Sequence, residues 1–321
     1  MAKVARLYHT HRLRQTEIAE RLNISQSRVS RLLTQAEEAA LVRTVVSITT
    51  DGNVELEESI ESRYGLADVH VIDAVSTHEG EIHRDLAVAA ASILHEVAPE
   101  APTIGFTSWS HTFRQMVDAL ERGPVRSTRV VEMLGDLGPP LLGHDAAHSA
   151  QKFASLTGGQ PVFLRIPGVS PTPAIKEALL QHDPYARQAL RALDDLDLAF
   201  VGIGSCEVTP PLRAGENYFT QEQLDEVVRL GAVGQLCLRF LDAGGQPVPN
   251  SLDDTVIGVT LAQLRSARRR WGVAGGVSEH AAIRAALVGG WIDVLVTDAA
   301  TAAYLVPPDG PQSNGESPGG G

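Results

Sequence analysis

The stretch Gln15–Thr34, QTEIAERLNISQSRVSRLLT, decides how the chain is read. Taken as helix, tight turn, helix, it puts Ile18 and Leu22 on one face of a first short helix. Ile24 then falls in the turn, and Val29 and Leu32 on the inner face of a second helix. Small Ala19 stands where the two helices would cross. Thr16 and Ser25 are placed as N-caps, because a hydroxyl oxygen accepts the orphan amide protons of the helix it precedes. Asn23 occupies the turn position that wants positive φ, which Asn tolerates better than most residues. The outer face of the second helix keeps Gln26, Ser27, Arg28, Ser30 and Arg31, donors and acceptors suited to base edges and phosphates in a major groove. Together with Thr16 and Ser25 they form the expected DNA-reading set. Amphipathic helical hairpins also occur in proteins that never touch nucleic acid. The small residue at the crossing, the capped second helix and its basic, hydroxyl-rich face favour double-stranded DNA.

Working outward, the charge supports this division of labour. The chain has 321 residues and a formal charge of −12, yet residues 1–50 carry eight Lys/Arg against four Asp/Glu. The head is therefore at +4 and the remainder at −16. Phosphate neutralisation needs only a local basic patch, and an acidic body stays off the duplex. No apolar run approaches the length of a membrane span, and the first residues, MAKVARLYHTHRLR, lack the apolar core of a signal peptide. Only Cys206 and Cys237 are present, not spaced as a metal pair. A cytoplasmic protein with free thiols, no membrane partner, no metal and no cofactor is expected.

Before the reading pair, Val4, Leu7 and Tyr8 are spaced for a supporting helix. After it, Val42–Ile48 reads as a strand, Asp51-Gly52 as a turn, and Val54–Tyr64 as a linker helix ended by Gly65. From Asp68 the pattern alternates between strands and helices. Strands are expected at 69–73, 103–106, 129–134, 162–166, 198–204, 235–242 and 291–298. Helices are expected at 79–97, 111–120, 144–156, 173–180, 184–193, 221–230, 278–288 and 299–305. Continuous apolar strands alternating with helices imply an α/β fold, a Rossmann-like and mostly parallel sheet covered on both faces. The expected organisation is a helix-turn-helix head at 1–52, a linker helix at 53–66 and an α/β body at 67–306. Residues 307–321, PPDGPQSNGESPGGG, have nothing to bury and are expected to be a disordered tail.

Ligands of such sheets bind beyond the carboxyl ends of the strands, so the turns there supply the candidate site. They hold Gly105, Thr107, Ser108, Ser110, His111 and Thr112, then Gly135 and Asp136, Gly202 and Gly204, Glu279, and Asp298; Asp253 joins the set. The first turn is the most suggestive, since hydroxyls and free amides at a helix start suit a phosphate or sugar hydroxyls. The plainer reading is that the hydroxyls cap the helix.

Three motifs mislead. Gly202-x-Gly204-x-x-Glu207 is a dinucleotide fingerprint without its third glycine and far from the first strand of the body. His144 and His148 share a helical face like a zinc protease pair, but with Asp between them and no third ligand. Arg268-Arg-Arg270, between a helix and a strand, reads as a solvated helix end.

The head resembles the helix-turn-helix of bacterial transcription regulators, with SQSRVSRLL (25–33) the most specific part. The resemblance extends through GIG (202–204), GAVGQLCLRFLD (231–242), VIGV (256–259) and VAGGVSEHAAIRAALVGGWIDVLVTDAATAAYL (273–305). Over nearly the whole chain it is similar to the SorC/DeoR-type sugar-binding transcriptional regulators. That resemblance implies an effector domain like the sugar-phosphate isomerase and CoA-transferase folds. It also implies a sugar or sugar-phosphate effector, and assembly with itself into dimers or tetramers. The chain departs from the family after Gly275-Gly276, where Glu279 stands in place of a lysine, and after Asp298, where Ala299 stands in place of a glutamate. Its three lysines, Lys3, Lys152 and Lys176, end no expected strand, so a Schiff-base lysine has no candidate. A carboxylate at Glu279 accepts from sugar hydroxyls and argues against a highly phosphorylated effector. The expected function is operator binding controlled by a small sugar-like molecule. The alternative is a sugar-phosphate isomerase- or transferase-like enzyme with a DNA-binding head, for which no acid–base pair stands out.

Overall fold

The computed structural model describes residues 2–9, 13–38, 53–97, 100–123, 125–208, 212, 215 and 217–306. The expected strand 42–48, the turn at 51–52 and the tail 307–321 lie outside the described residues. The chain divides into two compact units, Met1–Ser47 and Ile48–Gly321.

The first unit packs α1 (Ala2–His9), α2 (Gln15–Leu22) and α3 (Gln26–Glu38) around Val4, Leu7, Ile18, Ala19, Val29 and Leu33. Asn23 ends α2 at φ 51°, in the left-handed conformation expected of it. Ser25 Oγ accepts from the amide of Arg28 at 3.3 Å, as an N-cap should. One expectation needs correction. Thr16 lies inside α2, not at its cap; Arg14 holds the cap position and its amide donates to Glu17 Oε2 at 2.7 Å. Leu32, partly buried, packs against the head's core as expected, and Leu33, four residues after Val29, joins it on the inner face of α3.

The second unit opens with α4 (Val54–Tyr64) and continues β1 (Asp68–Ile72), α5 (Glu79–Val97), β2 (Thr103–Phe106), α6 (His111–Ala119), β3 (Arg129–Glu132), α7 (Pro140–Thr157) and β4 (Gln160–Val162). Next come α8 (Pro173–His182), α9 (Pro184–Ala192), β5 (Leu198–Phe200), β6 (Ile203–Gly204), α10 (Gln221–Arg229), β7 (Ala232–Leu236) and β8 (Arg239–Asp242). It closes with α11 (Leu261–Ser266), β9 (Arg269–Val273), α12 (His280–Val288), β10 (Val294–Asp298) and α13 (Ala299–Leu305). Seven strands form one parallel sheet in the order β1-β10-β9-β5-β2-β3-β4. Its apolar strands bury against two side-chain clusters. One is aromatic, with Phe106, Phe113, Phe153, Phe200 and Trp271; the other is built around Val131, Ala199, Leu295, Ile283 and Trp291.

The helix expected as a linker packs on the body. Ile60 is fully buried, and Tyr64 Oη donates to the carbonyl of Leu305 at 2.9 Å. Glu57 and Glu61 accept from the amides of Val71 and Val69 at 2.7 and 3.0 Å, so α4 satisfies the outer edge of β1 that would otherwise stand open.

Several strand expectations change. LAFVGIG is not one strand: β5 ends at Phe200, and β6 belongs to a separate antiparallel sheet of order β6-β7-β8. The stretch 235–242 is a hairpin, not a strand, because Cys237 and Leu238 take φ 47° and 65° and reverse the chain. Two-residue hairpins twist correctly with positive φ at both turn positions, which normally calls for Asn or Gly. Of the expected 162–166 strand only Val162 lies in one, the short β4, which starts two residues earlier at Gln160. Helix α7 begins earlier, on Pro140, a residue at home in a first turn. The arginine run is not a helix end: Arg269 and Arg270 lie in β9, and Arg270 is held by Asp293, Nε to Oδ2 at 2.8 Å.

Candidate effector site and DNA-reading helix

On α3 the side chains of Gln26, Ser27, Arg28, Ser30 and Arg31 are all exposed, and Ser25 and Ser27 share a hydroxyl contact at 3.1 Å. One helix thus presents two guanidiniums, an amide and hydroxyls on a single solvent face. Thr16 is exposed on the first turn of α2 and, with Gln15 and Gln26, borders a shallow depression of the head.

In the body the chain order reverses between β5 and β2. From β2 the strands run outward to β3 and β4, and from β5 the other way to β9 and β10. A crevice at the carboxyl ends follows from this reversal. Thr107, just past β2, is buried there; its Oγ1 donates to the Phe200 carbonyl at 2.7 Å and accepts from the Gly202 amide at 3.3 Å. Its hydroxyl also lies 3.5 Å from Cys237 Sγ, in the hairpin turn. Ser108, equally buried, contacts Glu132 Oε1 at 3.2 Å.

Glu132 was not among the expected residues. It ends β3 with no exposed surface and takes the Leu164 amide at 3.0 Å and Arg165 Nη2 at 2.8 and 3.0 Å. Arg165 Nη2 also lies 2.8 Å from Asp136 Oδ1. Burial pushes both carboxyls above their ordinary values, with Arg165 opposing. An open cleft of about 850 Å³ lies against this trio, lined also by Gly138, Pro139, His144, Pro167, Val169 and Asn217. His144 is exposed at its rim, away from any metal-like set, and His148 faces solvent.

The remaining candidates separate into contacts and supports. Gly105 is a packing residue, since a Cβ there would meet Met133 Sδ at 2.7 Å. Gly135 lets backbones meet: a Cβ would come within 2.4 Å of the Ile166 carbonyl, and its own amide donates to Ile257 in the VIGV segment. Ser110 caps α6 by accepting from Phe113, the plainer reading of that hydroxyl, and Thr112 is buried in the first turn. His111 opens α6; partial burial, then Arg114, His83 and Arg84, lower its imidazole. Gly204 lies in β6 with open space where a Cβ would stand, and the chain turns there into the small sheet, not into a phosphate-binding helix. Asp253 is engaged by Arg239, which donates to its carbonyl at 2.9 Å.

Asp298 caps α13. Oδ1 takes the Thr301 amide at 3.0 Å, while Oδ2 takes the Gly276 amide at 2.9 Å and the Thr301 hydroxyl at 2.6 Å. Burial would raise this carboxyl, but the hydrogen bonds from Thr301 and Gly276 outweigh it and hold it low. Glu279 ends the short turn before α12 and is not an exposed first-turn acid. Its side chain is 18% exposed and lies 3.8 Å from His83 Nε2. Burial, reinforced by Glu79 and Asp298 and opposed by a Gly275 backbone hydrogen bond, pushes it up to about 8. Near neutral pH it therefore holds its proton, and is a donor as well as an acceptor. His83, on α5, was not expected here; it also meets the Gly275 carbonyl at 3.1 Å.

Buried hydroxyls, carboxyls and one paired arginine thus lie in and beside the turns that follow the parallel strands. Among the described residues no group of three or more His, Cys, Asp or Glu could hold a metal ion, and no helix is long and apolar enough to cross a membrane.

A family model described as "Putative sugar-binding domain" matches residues 49–307. The deoxyribonucleoside regulator of Bacillus subtilis (strain 168) is 30% identical over 305 residues, covering 95% of this chain and 96% of that one. The full-length sorbitol operon regulator SorC of Klebsiella pneumoniae superimposes with a TM-score of 0.72 at 25% identity, covering 94% of this chain and 96% of that one. A domain of transcriptional regulator DeoR from Pseudomonas syringae pv. tomato does so with 0.61 at 32% identity, covering 79% of this chain and 99% of that one. The chain belongs to the SorC/DeoR family of sugar-binding transcriptional regulators and is an effector-controlled regulator of transcription, not an enzyme.

Proposed function

We propose that this regulator reads double-stranded operator DNA with α3 through Gln26, Ser27, Arg28, Ser30 and Arg31. Ser25 fixes the start of that helix, and Thr16 approaches the backbone. The effector, a small sugar-like molecule, sits at the carboxyl ends of the parallel strands. Thr107, Ser108, His111, Asp136, Gly202, Gly204 and Glu279 surround or support it. Gly105, Thr112, Gly135 and Asp298 shape the walls. The protein works in the cytoplasm as a dimer or tetramer of itself.

The observation that carries this reading is the meeting of buried Thr107 with Gly202, and of buried Ser108 with Glu132, beside the point where the strand order reverses. A ligand there acts only if it binds two conformations of the body unequally. The Thr107–Cys237 contact gives it a route into the β7–β8 hairpin, whose turn holds two side chains in a costly left-handed backbone. The experiment is selection of bound DNA by the full chain from a random-sequence library. Fluorescence anisotropy on the selected fragment, with and without sugars, polyols and their phosphates, follows. Sequence-selective binding that one of these shifts supports the reading. Selective binding that none of them moves contradicts its effector half.

A further inference from the structure

Arg165 is the one arginine or lysine among the described residues lining the cleft, and it is already engaged. Its Nη2 sits between Glu132 and Asp136, and its Nη1 donates to the Gly143 carbonyl at 3.2 Å. With both carboxyls ionised the trio carries one net negative charge. Glu132 cannot swing away, because Ser108 and the Leu164 amide hold it too.

Two acceptors, one within this trio and one beside it, lack donors. Asp136 Oδ1 is close enough to Arg165 for an ion pair but lies off its N–H direction, and accepts no hydrogen bond. Asn217 Oδ1 is likewise buried and unpartnered, its amide nitrogen being engaged by the Asp136 carbonyl at 2.8 Å. Buried acceptors call for donors, and a phosphate ester brings only more acceptors and negative charge. Hydroxyls supply donors. The walls at Pro139, Pro167 and Val169 suit the C–H face of a sugar or polyol.

We propose that this cleft takes an unphosphorylated sugar or polyol whose hydroxyls donate to Asp136 and Asn217, and that Asp136 excludes the corresponding phosphate ester. The inference rests on the cleft being part of the effector site, and it names the class of effector.

The test is calorimetric titration of the full chain with two matched pairs and with inorganic phosphate. The pairs are sorbitol with sorbitol 6-phosphate, and 2-deoxyribose with its 5-phosphate. Wild type, Asp136→Asn and Asn217→Asp are compared, each checked for a cooperative thermal transition. The expected result is that in at least one pair the free sugar binds tenfold or more tightly than its ester, and that inorganic phosphate does not compete. Asp136→Asn should then narrow that ratio by about tenfold, and Asn217→Asp, which adds charge to the same wall, should widen it. An ester bound more tightly than its parent by wild type overturns the proposal while leaving the effector site in place. Ligand binding unchanged in both variants moves the effector out of this cleft and overturns both. No heat from any probe also overturns both.

Discussion

The Thr107 hydroxyl and the Gly202 amide lie 3.3 Å apart across the junction where the strand order of the sheet reverses. The same hydroxyl donates to Phe200, and a Cβ at 202 would come within 2.9 Å of Thr107 Cγ2, so the two turns are fitted to each other. Thr107→Val keeps the shape and removes both hydrogen bonds. It should cost about 1–3 kcal/mol of effector-domain stability, read as a lower urea midpoint at unchanged slope. A midpoint equal to wild type would show that the hydroxyl holds nothing together.

Arg28 is exposed on α3 with its guanidinium free to reach a base edge. Arg28→Ala is expected to weaken operator binding by about 1–3 kcal/mol and to relax selectivity at one base position. Calorimetric or anisotropy titration on the operator and on point-mutated operators reads both effects. Equal loss on every sequence would make Arg28 a phosphate contact.

Glu279 ties stability to pH. Its folded value of about 8 lies above the ordinary 4.5, so the folded state binds this proton more tightly. The stability it contributes is complete below about pH 4.5 and is lost as pH rises toward 8. Glu279→Gln cannot ionise. Its stability relative to wild type should therefore climb across that window and level off above it, by about 1–4 kcal/mol in all. Urea unfolding of both proteins at several pH values measures the gap, and a gap that does not vary with pH contradicts the assignment.

The body has its own apolar clusters and its own closed edge at α4. Deleting residues 1–52 should leave a soluble, folded oligomer. Sedimentation at micromolar concentration is the measurement. A monomer would place the self-association in the head.

The parallel core was legible because strands buried on both faces read as apolar runs: TIGF, LAF and VLVTD stand out at once. The head was legible for a similar reason, since Ala19, Asn23 and Ser25 each have one local job. What escaped depended on contacts distant in sequence or on an unusual backbone. Nothing in Cys237-Leu238 announces a turn, since both side chains pay the left-handed penalty without Gly or Asn to flag it, and so the second sheet was missed. Strand β9 hid behind three arginines because Asp293, 23 residues after Arg270, is what lets that residue enter a sheet. At the site, the glycine-ended turns were visible. The Glu132–Arg165 pair was not, because it exists only once β3 and β4 stand side by side. One signal was present: an acid directly after the buried valines 130 and 131 asks for a buried partner.

Effector control of operator binding requires that the two sites be coupled, and coupling is reciprocal for binding free energies. The most direct measurement is the affinity of the active sugar or polyol for the full chain, free and saturated with operator fragment. The operator affinity with and without that ligand is measured in parallel. Both affinities are expected to change by the same factor, of about fivefold or more. Ligand affinity identical in the free and DNA-bound protein would contradict it.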